Sequence, residues 1–566
     1  MPHFDDYSRM EDGAPDAPPL ASEPADREAA DGSQNGRTSV SFPQTRHEIH
    51  YGDRVVRSFV DRPRNVDALF RETVRRVPDT IAVVLGESRL SYRDLDALVE
   101  AAAAGLVREG FLPGERLALL LDNGVEFIVA TLAAARAGLV SVPMNTRQRR
   151  PEIEFVLNQC RAAGLVFAGD HAPNLPGRES VPALRKVFVV GDGPGQPFAT
   201  LTAPGPAARF PEVEEDSPYC LLYTSGTTGQ PKGAILTHFG TIHSLIHYQH
   251  GLGLRQGDVG MLAVPASHVT GLVAIILTMI RVGGTTVVMP AFKARAFLEL
   301  AQREKMTYSL IVPAMYNLCL LDPDFAGFDL SHWRVGGFGG APMPQATIER
   351  LAAALPGLTL VNCYGATETT SPATLLPLGD IAVKPTSVGK PVSCADIVVM
   401  GDDGREVPRG ESGELLIAGP MVVPGYWDNP DANKSNFIDG YWRTGDIGSM
   451  DEDGYVYVFD RKKDMINRAG FKVYCVEVEN VLSHHPAVVE SAVVGRPDPV
   501  LGEKVHAFIY LEGRAADEAD IKRHCAERLS DYKVPDSITF LEAPLPRNAN
   551  GKILKTALRD LLAAQG

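Results

Sequence analysis

The stretch 223–233 combines hydroxyl side chains, glycines and one lysine in an order that suits polyphosphate. It reads YTSGTTGQPKG and follows the apolar run YCLLY, so we expect it at the end of a strand. Glycines let backbone N–H groups approach anionic oxygens, hydroxyl groups add donors, and a lysine supplies a point charge. The residues predicted to bind phosphate are Thr224, Ser225, Gly226, Thr227, Thr228, Gly229 and Lys232.

The spacing of this stretch excludes one common phosphate loop. Its glycines and Lys232 do not follow GxxxxGK[ST], and Pro231 would obstruct the helix that a Walker loop needs at that point. We therefore do not expect a P-loop kinase or ATPase. Clusters of Ser, Thr and Gly are more often solvated turns, so the stretch needs support from other motifs.

The eleven-residue string resembles the signature loop of the adenylate-forming superfamily, which comprises acyl-CoA synthetases, luciferases and the adenylation domains of nonribosomal peptide synthetases. Further strings resemble later motifs of that family in the same order, namely GGFGGAPMP, NCYGATETT, YWRTGDIG, DRKKDMINRAG and NGK. The resemblance implies an ATP-dependent acyl-CoA ligase. Such an enzyme converts a carboxylic acid, ATP and coenzyme A to acyl-CoA, AMP and pyrophosphate through an acyl-adenylate.

The resemblance also implies roles for residues around the nucleotide. Thr367 contacts the α-phosphate, and Glu368 binds Mg2+, a hard ion that prefers carboxylate and phosphate oxygens. Asp446 accepts hydrogen bonds from the two ribose hydroxyl groups, and Arg461 also reaches the ribose. The remaining contacts with ATP or AMP are assigned to Gly340, Ala341, Pro342, Cys363, Tyr364, Gly365 and Ala366.

The C-terminal part of the chain carries residues that the resemblance links to two half-reactions. Lys552 resembles the family's catalytic lysine, which bridges the substrate carboxylate and the α-phosphate as charge redistributes. Lys463 falls at the family's hinge position, and Gly470 and Phe471 match the loop that helps form its pantetheine tunnel. The other members of the predicted catalytic set are Thr367, Glu368 and Lys232.

The string VPASHVTGL places His268 where acyl-CoA synthetases carry a histidine beside the acyl pocket. The string lacks the aspartate with which amino-acid adenylation domains hold a substrate ammonium group, which favours an acid without an α-amino group. A mixed small and apolar lining is compatible with a fatty, branched or aryl acid. The other residues expected to line this pocket are Val269, Gly271, Leu272, Phe338, Gly339 and Thr369.

The acceptor of the acyl group is predicted to be coenzyme A. Only a short tail follows Arg559, so we expect no fused carrier domain. Two alternatives stay open: a ligase that loads a separate carrier protein, and a catalytically silent nucleotide-binding homologue. Asn467 and Ala469 stand where plant-type aryl ligases often have lysines, which puts in doubt that the α-phosphate and coenzyme A are held as in that subgroup.

Composition limits the possible partners. The formal charge of −15 argues against nucleic acid, and the seven scattered cysteines argue against a disulfide framework or structural zinc. The apolar run near Gly271 is interrupted by Arg281 and is shorter than the ~20 residues of a membrane span. The acidic N-terminus does not read as a signal peptide. We expect a cytoplasmic protein without a transmembrane segment, and a homodimer is left open.

Hydrophobic patterning predicts an α/β fold. Residues 1–46 are poor in aliphatic side chains and are expected to form a disordered tail. Aliphatic runs such as LALLL from Leu117 then alternate with amphipathic helices, which is βαβ patterning, and SYRD at Ser91 predicts a capping box. We predict a large AMP-binding domain over 47–460 that includes a small β subdomain. A small, mobile α+β lid domain is predicted over 461–566.

Overall fold

The computed structural model describes residues 42–224, 230–547 and 553–564. Its first element is an antiparallel hairpin of β1 (Thr45–His50) and β2 (Arg54–Phe59). β1 begins two residues before the predicted start of the large domain. The hairpin packs against a later segment of the chain, because the His50 ring stacks on the Phe239 ring with 3.6 Å between their centroids.

Alternating strands and helices follow, as the βαβ patterning predicts. They are α1 (Val66–Arg76), β3 (Ile81–Leu85), β4 (Ser88–Ser91), α2 (Tyr92–Arg108), β5 (Arg116–Leu120), α3 (Val125–Arg136), β6 (Val140–Pro143), α4 (Arg150–Gln159), β7 (Gly164–Ala168), β8 (Lys186–Val190), β9 (Gln196–Pro197), β10 (Pro218–Thr224) and β11 (Lys232–Thr237). The capping box is confirmed, because Ser91 and Asp94 exchange hydrogen bonds between side chain and backbone at the start of α2.

A second run of elements completes the two main sheets. It comprises α5 (His238–Gly251), β12 (Val259–Leu262), a π-helix (Thr270–Leu277), α6 (Thr278–Val282), β13 (Thr285–Val288), α7 (Ala294–Arg303), β14 (Tyr308–Ile311), α8 (Pro313–Leu320), β15 (Val335–Phe338), α9 (Gln345–Ala354), β16 (Thr359–Tyr364), β17 (Thr374–Leu375) and β18 (Lys390–Pro391).

The two main sheets have mostly parallel strands. One has the order β11-β10-β6-β5-β7-β8-β9, and the other has the order β18-β17-β16-β15-β14-β12-β13-β3-β4. Leu117, Leu119 and Leu120 of β5 are fully buried, as expected for a parallel strand that is covered on both faces. Ligands of open parallel sheets bind outside the carboxyl ends of the strands, so a binding site is expected at those ends.

The predicted β subdomain is a separate five-stranded sheet. Its elements are β19 (Asp396–Met400), β20 (Gly413–Ala418), α10 (Pro430–Asn436), β21 (Phe437–Ile438), β22 (Tyr441–Met450) and β23 (Val456–Arg461). The strand order is β19-β20-β22-β21, and β23 pairs with β22. Every neighbouring pair is antiparallel.

The C-terminal part has the α+β composition that the sequence predicts. Its elements are β24 (Ile466–Arg468), β25 (Phe471–Val473), α11 (Cys475–Ser483), β26 (Glu490–Asp498), β27 (Gly502–Tyr510), α12 (Glu518–Ala526), β28 (Ser537–Leu541) and α13 (Lys555–Ala564). The Asp517 side chain caps the start of α12 by accepting a hydrogen bond from the Asp520 N–H. Residues 462–465 connect this sheet to β23, and the domain boundaries stay a prediction.

Together these elements confirm the α/β fold class, with mostly parallel sheets followed by β and α+β parts. All seven cysteine side chains are buried free thiols. Of the helices in the described ranges, none combines the length and apolarity that a bilayer span requires.

Two buried histidines of helix α5 accept hydrogen bonds from backbone N–H groups of neighbouring segments. His243 Nε2 accepts a hydrogen bond from the Phe59 N–H at 3.1 Å, and its Nδ1 lies 2.9 Å from the Phe239 carbonyl oxygen. His238 Nδ1 accepts from the Val66 N–H at 3.2 Å. Burial lowers the pKa of each imidazole from 6.5 to about 3, so both are neutral in the folded protein.

We predict that the free energy of unfolding falls as the pH falls below about 6. The unfolded state binds protons at His238 and His243 near pH 6.5, whereas the folded state does not until about pH 3, so acid favours unfolding. Each histidine contributes a slope on the order of 1 kcal/mol per pH unit in that window. Urea unfolding of the wild type and a His238→Asn/His243→Gln variant measures the slope. Equal slopes in the two proteins would contradict the assignment.

Candidate active site

The predicted phosphate-binding and nucleotide-binding motifs lie at the carboxyl ends of three strands. β10 ends at Thr224, β15 ends at Phe338, and β16 ends at Tyr364. A short helical turn over Thr367–Thr369 follows β16, and the next residue, Thr370, has a φ of 49°, which is unusual for a residue with a side chain. The chain therefore turns sharply where the sequence predicts contacts with phosphate.

The Glu368 carboxylate is buried and receives two hydroxyl groups. Its Oε1 accepts a hydrogen bond from the Tyr426 hydroxyl at 2.9 Å and a longer one from the Thr224 hydroxyl at 3.4 Å. Burial, followed by the adjacent Glu368 carboxylate, raises the pKa of Tyr426, so the phenol remains a donor. Both of these bonds end on Oε1, and a carboxylate oxygen is a ligand that a hard divalent ion prefers, so Glu368 could hold Mg2+.

Lys232 also contacts this tyrosine. Its ammonium nitrogen is 5.2 Å from the centroid of the Tyr426 ring, which is cation–π distance. Tyr426 thus contacts both Lys232 and Glu368, yet sequence reasoning did not select it. The string PGYW lies in a stretch rich in glycine and proline, where a tyrosine carries no chemical signal.

A second buried carboxylate, that of Asp446, is held by two donors from different strands. The Tyr364 hydroxyl donates to Oδ2 at 2.6 Å, and Arg461 Nε lies 2.8 Å from Oδ1. Burial lowers the pKa of Arg461, but the Asp446 carboxylate and its neighbours outweigh that effect, so the pKa of Arg461 is raised. The structure therefore brings together the residue predicted to bind the ribose and two other predicted nucleotide residues.

The predicted nucleotide-binding residues that follow β15 form an open loop. Gly340, Ala341 and Pro342 are exposed, and Gly340 has a φ of +76°. A Cβ atom at Gly339 would lie 2.5 Å from the Cys363 carbonyl oxygen, so only glycine allows the ends of β15 and β16 to approach so closely. A flat, accessible backbone surface results. Gly365 and Ala366 continue from β16 beside it, and Thr367 is buried.

The residues predicted to line the acyl pocket lie on adjoining segments. The π-helix, which contains Gly271 and Leu272, packs against β14, and β14 pairs with β15, where Phe338 lies. Helices of this kind occur frequently at functional sites. His268 Nδ1 lies 3.1 Å from Thr270 Oγ1 at the start of that helix. The buried members of the set are Val269, Gly271, Leu272, Phe338 and Thr369.

The predicted hinge and coenzyme A residues follow Arg461 in the chain and are exposed. Lys463 is exposed on the connection between β23 and β24. Gly470 forms the turn of the β24–β25 hairpin with a φ of +90°. The Phe471 ring is 56% exposed and stacks on Tyr532 at 4.8 Å. No contact between Phe471 and the predicted acyl pocket is found in the described chain, so its role stays a prediction.

Several predicted site residues lie outside the described residues. They are Ser225, Gly226, Thr227, Thr228, Gly229 and Lys552. Their roles remain predictions from the sequence.

We predict that Asp446→Asn weakens AMP binding by about 10-fold to 100-fold, because hydrogen bonds to a charged group contribute roughly 1.5–3 kcal/mol. Isothermal titration calorimetry with AMP measures the change. Asp453→Asn is the matched control, since Asp453 is an exposed carboxylate in the turn between β22 and β23. Unchanged AMP affinity in Asp446→Asn would exclude Asp446 from the nucleotide site.

The sequence of this chain is similar to two described families. Residues 70–427 match the family described as AMP-binding enzyme, and residues 477–552 match the AMP-binding enzyme C-terminal domain. The first match alone covers more than half of the chain.

Named relatives and a solved structure are similar over most of their length. Long-chain-fatty-acid–CoA ligase FadD13 of Mycobacterium tuberculosis is 36% identical over 84% of this chain and 94% of its own. Fatty acid–[acyl-carrier-protein] ligase ScoC of Streptomyces coeruleorubidus is 34% identical over 85% of this chain and 93% of its own. The crystal structure of the anthranilate CoA ligase AuaEII with anthranoyl-AMP has a TM-score of 0.84, 28% identity, and coverage of 90% and 99%.

Proposed function

We propose how this chain, which belongs to the AMP-binding enzymes of the adenylate-forming superfamily and to their acyl-CoA synthetase branch, carries out its reaction. It is an AMP-forming acid–thiol ligase that uses ATP to join a carboxylic acid to coenzyme A. One observation supports a single nucleotide site: the turn 364–368 carries one buried carboxylate group, that of Glu368, and contacts the other, that of Asp446. Tyr364 donates to Asp446, and Glu368 accepts from Thr224.

The two ends of that turn match the ribose and the phosphate of AMP. Asp446, with Arg461 beside it, presents a carboxylate to the ribose hydroxyl groups. Thr367 and Glu368 lie toward Thr224, which ends the strand before the phosphate-binding stretch. Magnesium bound by Glu368 would neutralise charge on the phosphates. Lys232, on the strand that returns from this stretch, supplies a further positive charge.

The reaction needs no nucleophile from the protein. A carboxylate oxygen of the acid attacks the α-phosphorus, the bond from that phosphorus to the bridging oxygen breaks, and pyrophosphate leaves. The sulfur of coenzyme A then attacks the acyl carbon, the bond from that carbon to the AMP oxygen breaks, and the thiol proton passes to solvent. The protein contributes alignment and charge stabilisation, which are the main catalytic factors in such transfers.

The change from the first step to the second is assigned to four residues of the C-terminal part, namely Lys552, Lys463, Gly470 and Phe471. In this proposal Lys552 stabilises the transition state of adenylation, and a rotation about Lys463 then brings the Gly470 hairpin to the acyl-adenylate. The turn of the β24–β25 hairpin is exposed at Gly470 and Phe471, as this assignment requires. Such a hinge would let one site serve both half-reactions.

A separate carrier protein is the second candidate acceptor. The relative ScoC is named as a ligase for an acyl carrier protein, and it is nearly as similar to this chain as FadD13. The acid also remains open, since the relatives named above act on fatty acids and the solved structure holds anthranoyl-AMP. A cytoplasmic location and a homodimer stay predictions.

We predict acid-dependent exchange of labelled pyrophosphate into ATP, followed by AMP release when a thiol acceptor is added. A panel of fatty, branched and aryl acids identifies the acid, and coenzyme A and a phosphopantetheinylated carrier protein are compared as acceptors. Faster thioester formation with coenzyme A supports the proposal. Exchange with transfer only to the carrier protein would favour the second candidate, and no exchange with any acid would refute acid activation.

We predict that Lys552→Ala slows adenylation by about 100-fold or more, by analogy with the removal of one transition-state donor. Thioester formation from supplied acyl-AMP should survive. Lys504→Ala is the control, because Lys504 is a C-terminal lysine that pairs with Asp498. Single-turnover measurements of each half-reaction separate the two effects. Equal losses in both half-reactions would show that Lys552 is not specific to adenylation.

A further inference from the structure

The N-terminal hairpin precedes residue 70, where the family match begins, yet it reaches the candidate active site. Arg54, the first residue of β2, donates through Nη1 to the Val423 carbonyl oxygen at 3.1 Å. It also donates through Nη2 to the Pro424 carbonyl oxygen at 2.9 Å. The two bonds use the planar fork of the guanidinium group, which a lysine cannot reproduce. Arg54 therefore fixes the backbone at the start of the segment 423–427.

The segment 423–427 holds Glu368 at two points. The Val423 N–H donates to the Glu368 carbonyl oxygen at 2.9 Å, and the Tyr426 hydroxyl donates to the Glu368 carboxylate at 2.9 Å. The first bond positions the backbone of Glu368, and the second orients its side chain. Arg54 thus bonds to Val423, whose N–H contacts the predicted magnesium ligand, and to Pro424, two residues before Tyr426.

The same segment is also bonded to β11, which begins at Lys232. The Ile235 N–H donates to the Gly425 carbonyl oxygen at 3.1 Å, and the Trp427 N–H donates to the Gly233 carbonyl oxygen at 2.7 Å. Asn433 Oδ1 accepts from the Tyr426 N–H at 2.6 Å. These bonds fix the distance between the strand that carries Lys232 and the turn that carries Glu368. A shift of the segment would move both charged groups relative to each other.

The groups around the Arg54 guanidinium determine how the cost of burying its charge is offset. The Tyr51 and Phe437 rings lie 5.5 Å and 6.0 Å from its guanidinium carbon, and no ion pair to Arg54 is found within the described ranges. Burial lowers the pKa of Arg54. A partly buried guanidinium without a carboxylate partner is costly, so its bonds to two carbonyl groups need to offset that cost.

We propose that Arg54 is a positioning residue for adenylation, which acts through the segment 423–427 and Tyr426 to orient the Glu368 carboxylate. The N-terminal hairpin is then a functional part of the active site. This inference rests on the proposed function, in which Glu368 binds magnesium with the substrate phosphates. Groups that orient metal ligands typically affect metal affinity or activity by about 10-fold to 100-fold when removed.

The test compares Arg54→Gln and Tyr426→Phe with the wild type in pyrophosphate exchange at varied Mg2+ concentration. We expect kcat to fall about 10-fold and the Mg2+ concentration for half-maximal rate to rise, with the KM for the acid unchanged. Arg57→Gln is the matched control, because Arg57 is an exposed arginine on the same strand. Electron paramagnetic resonance of Mn2+ with ATP, in the absence of acid, gives a readout independent of turnover, and we expect weaker Mn2+ binding in both variants.

A double-mutant cycle tests whether Arg54 acts through Tyr426. If it does, the Arg54→Gln/Tyr426→Phe protein loses no more than the worse single variant. Additive losses, or an Arg54→Gln protein with the metal dependence of Arg57→Gln, would overturn the inference and leave the proposed function standing. No acid-dependent exchange in the wild type would overturn both. If Arg54→Gln does not fold, Arg54→Lys replaces it, because that variant keeps the charge but loses one of the two bonds.

Discussion

The candidate site depends on the interaction of Asp446 with Tyr364 and Arg461. A buried carboxylate is unfavourable unless hydrogen-bonded donors or opposite charges compensate for its lost hydration. Here one donor comes from the end of a strand in a main sheet, and the other comes from the last residue of β23. The interaction therefore joins the main sheet to the β subdomain at the point where the chain leaves for its C-terminal part.

Glu368 follows the same rule, with hydroxyl groups in place of an arginine. Thr224 and Tyr426 both donate to one of its oxygens, and the Lys232 ammonium group contacts the Tyr426 ring. A carboxylate held in this way stays close to a positive charge without forming a direct ion pair with it. That arrangement suits a metal ligand, because an ion pair with Lys232 would occupy the oxygens that a cation needs. The three residues between Tyr364 and Glu368 thus connect a carboxylate that is paired with an arginine to one that accepts from hydroxyl groups.

The sequence predicted the alternation of strands and helices and singled out the motifs, but it did not reveal the groups that support them. Thr224, Glu368 and Asp446 were found because each lies in a string whose residue types are chemically distinctive. Tyr426 was missed, because its importance comes from a bridge to Ala234 and a bond to Glu368, which are far apart in the chain. Arg54 was missed for the same reason, since its partners are backbone carbonyl groups about 370 residues away.

Local patterning also had limits that are physical in origin. The capping box at Ser91 was predicted because it involves neighbouring residues, and the structure has it. The hairpin β1–β2 was not predicted, because its strands are short, carry charged residues on the outer face, and depend on packing against Phe239 and His243. Tertiary contacts of this kind leave little trace in hydrophobic periodicity.

The central claim is that one turn, 364–368, serves both parts of a single bound nucleotide: Tyr364 bonds to Asp446, which binds the ribose, and Thr367 and Glu368 lie beside the phosphate. A crystal structure with an acyl-sulfamoyl adenosine, a stable stand-in for the acyl-adenylate, tests it most directly. We expect both ribose hydroxyl groups about 3 Å from the Asp446 carboxylate and the sulfamoyl group beside Thr367. A nucleoside bound away from Asp446, or a sulfamoyl group remote from Thr367 and Glu368, would contradict the account.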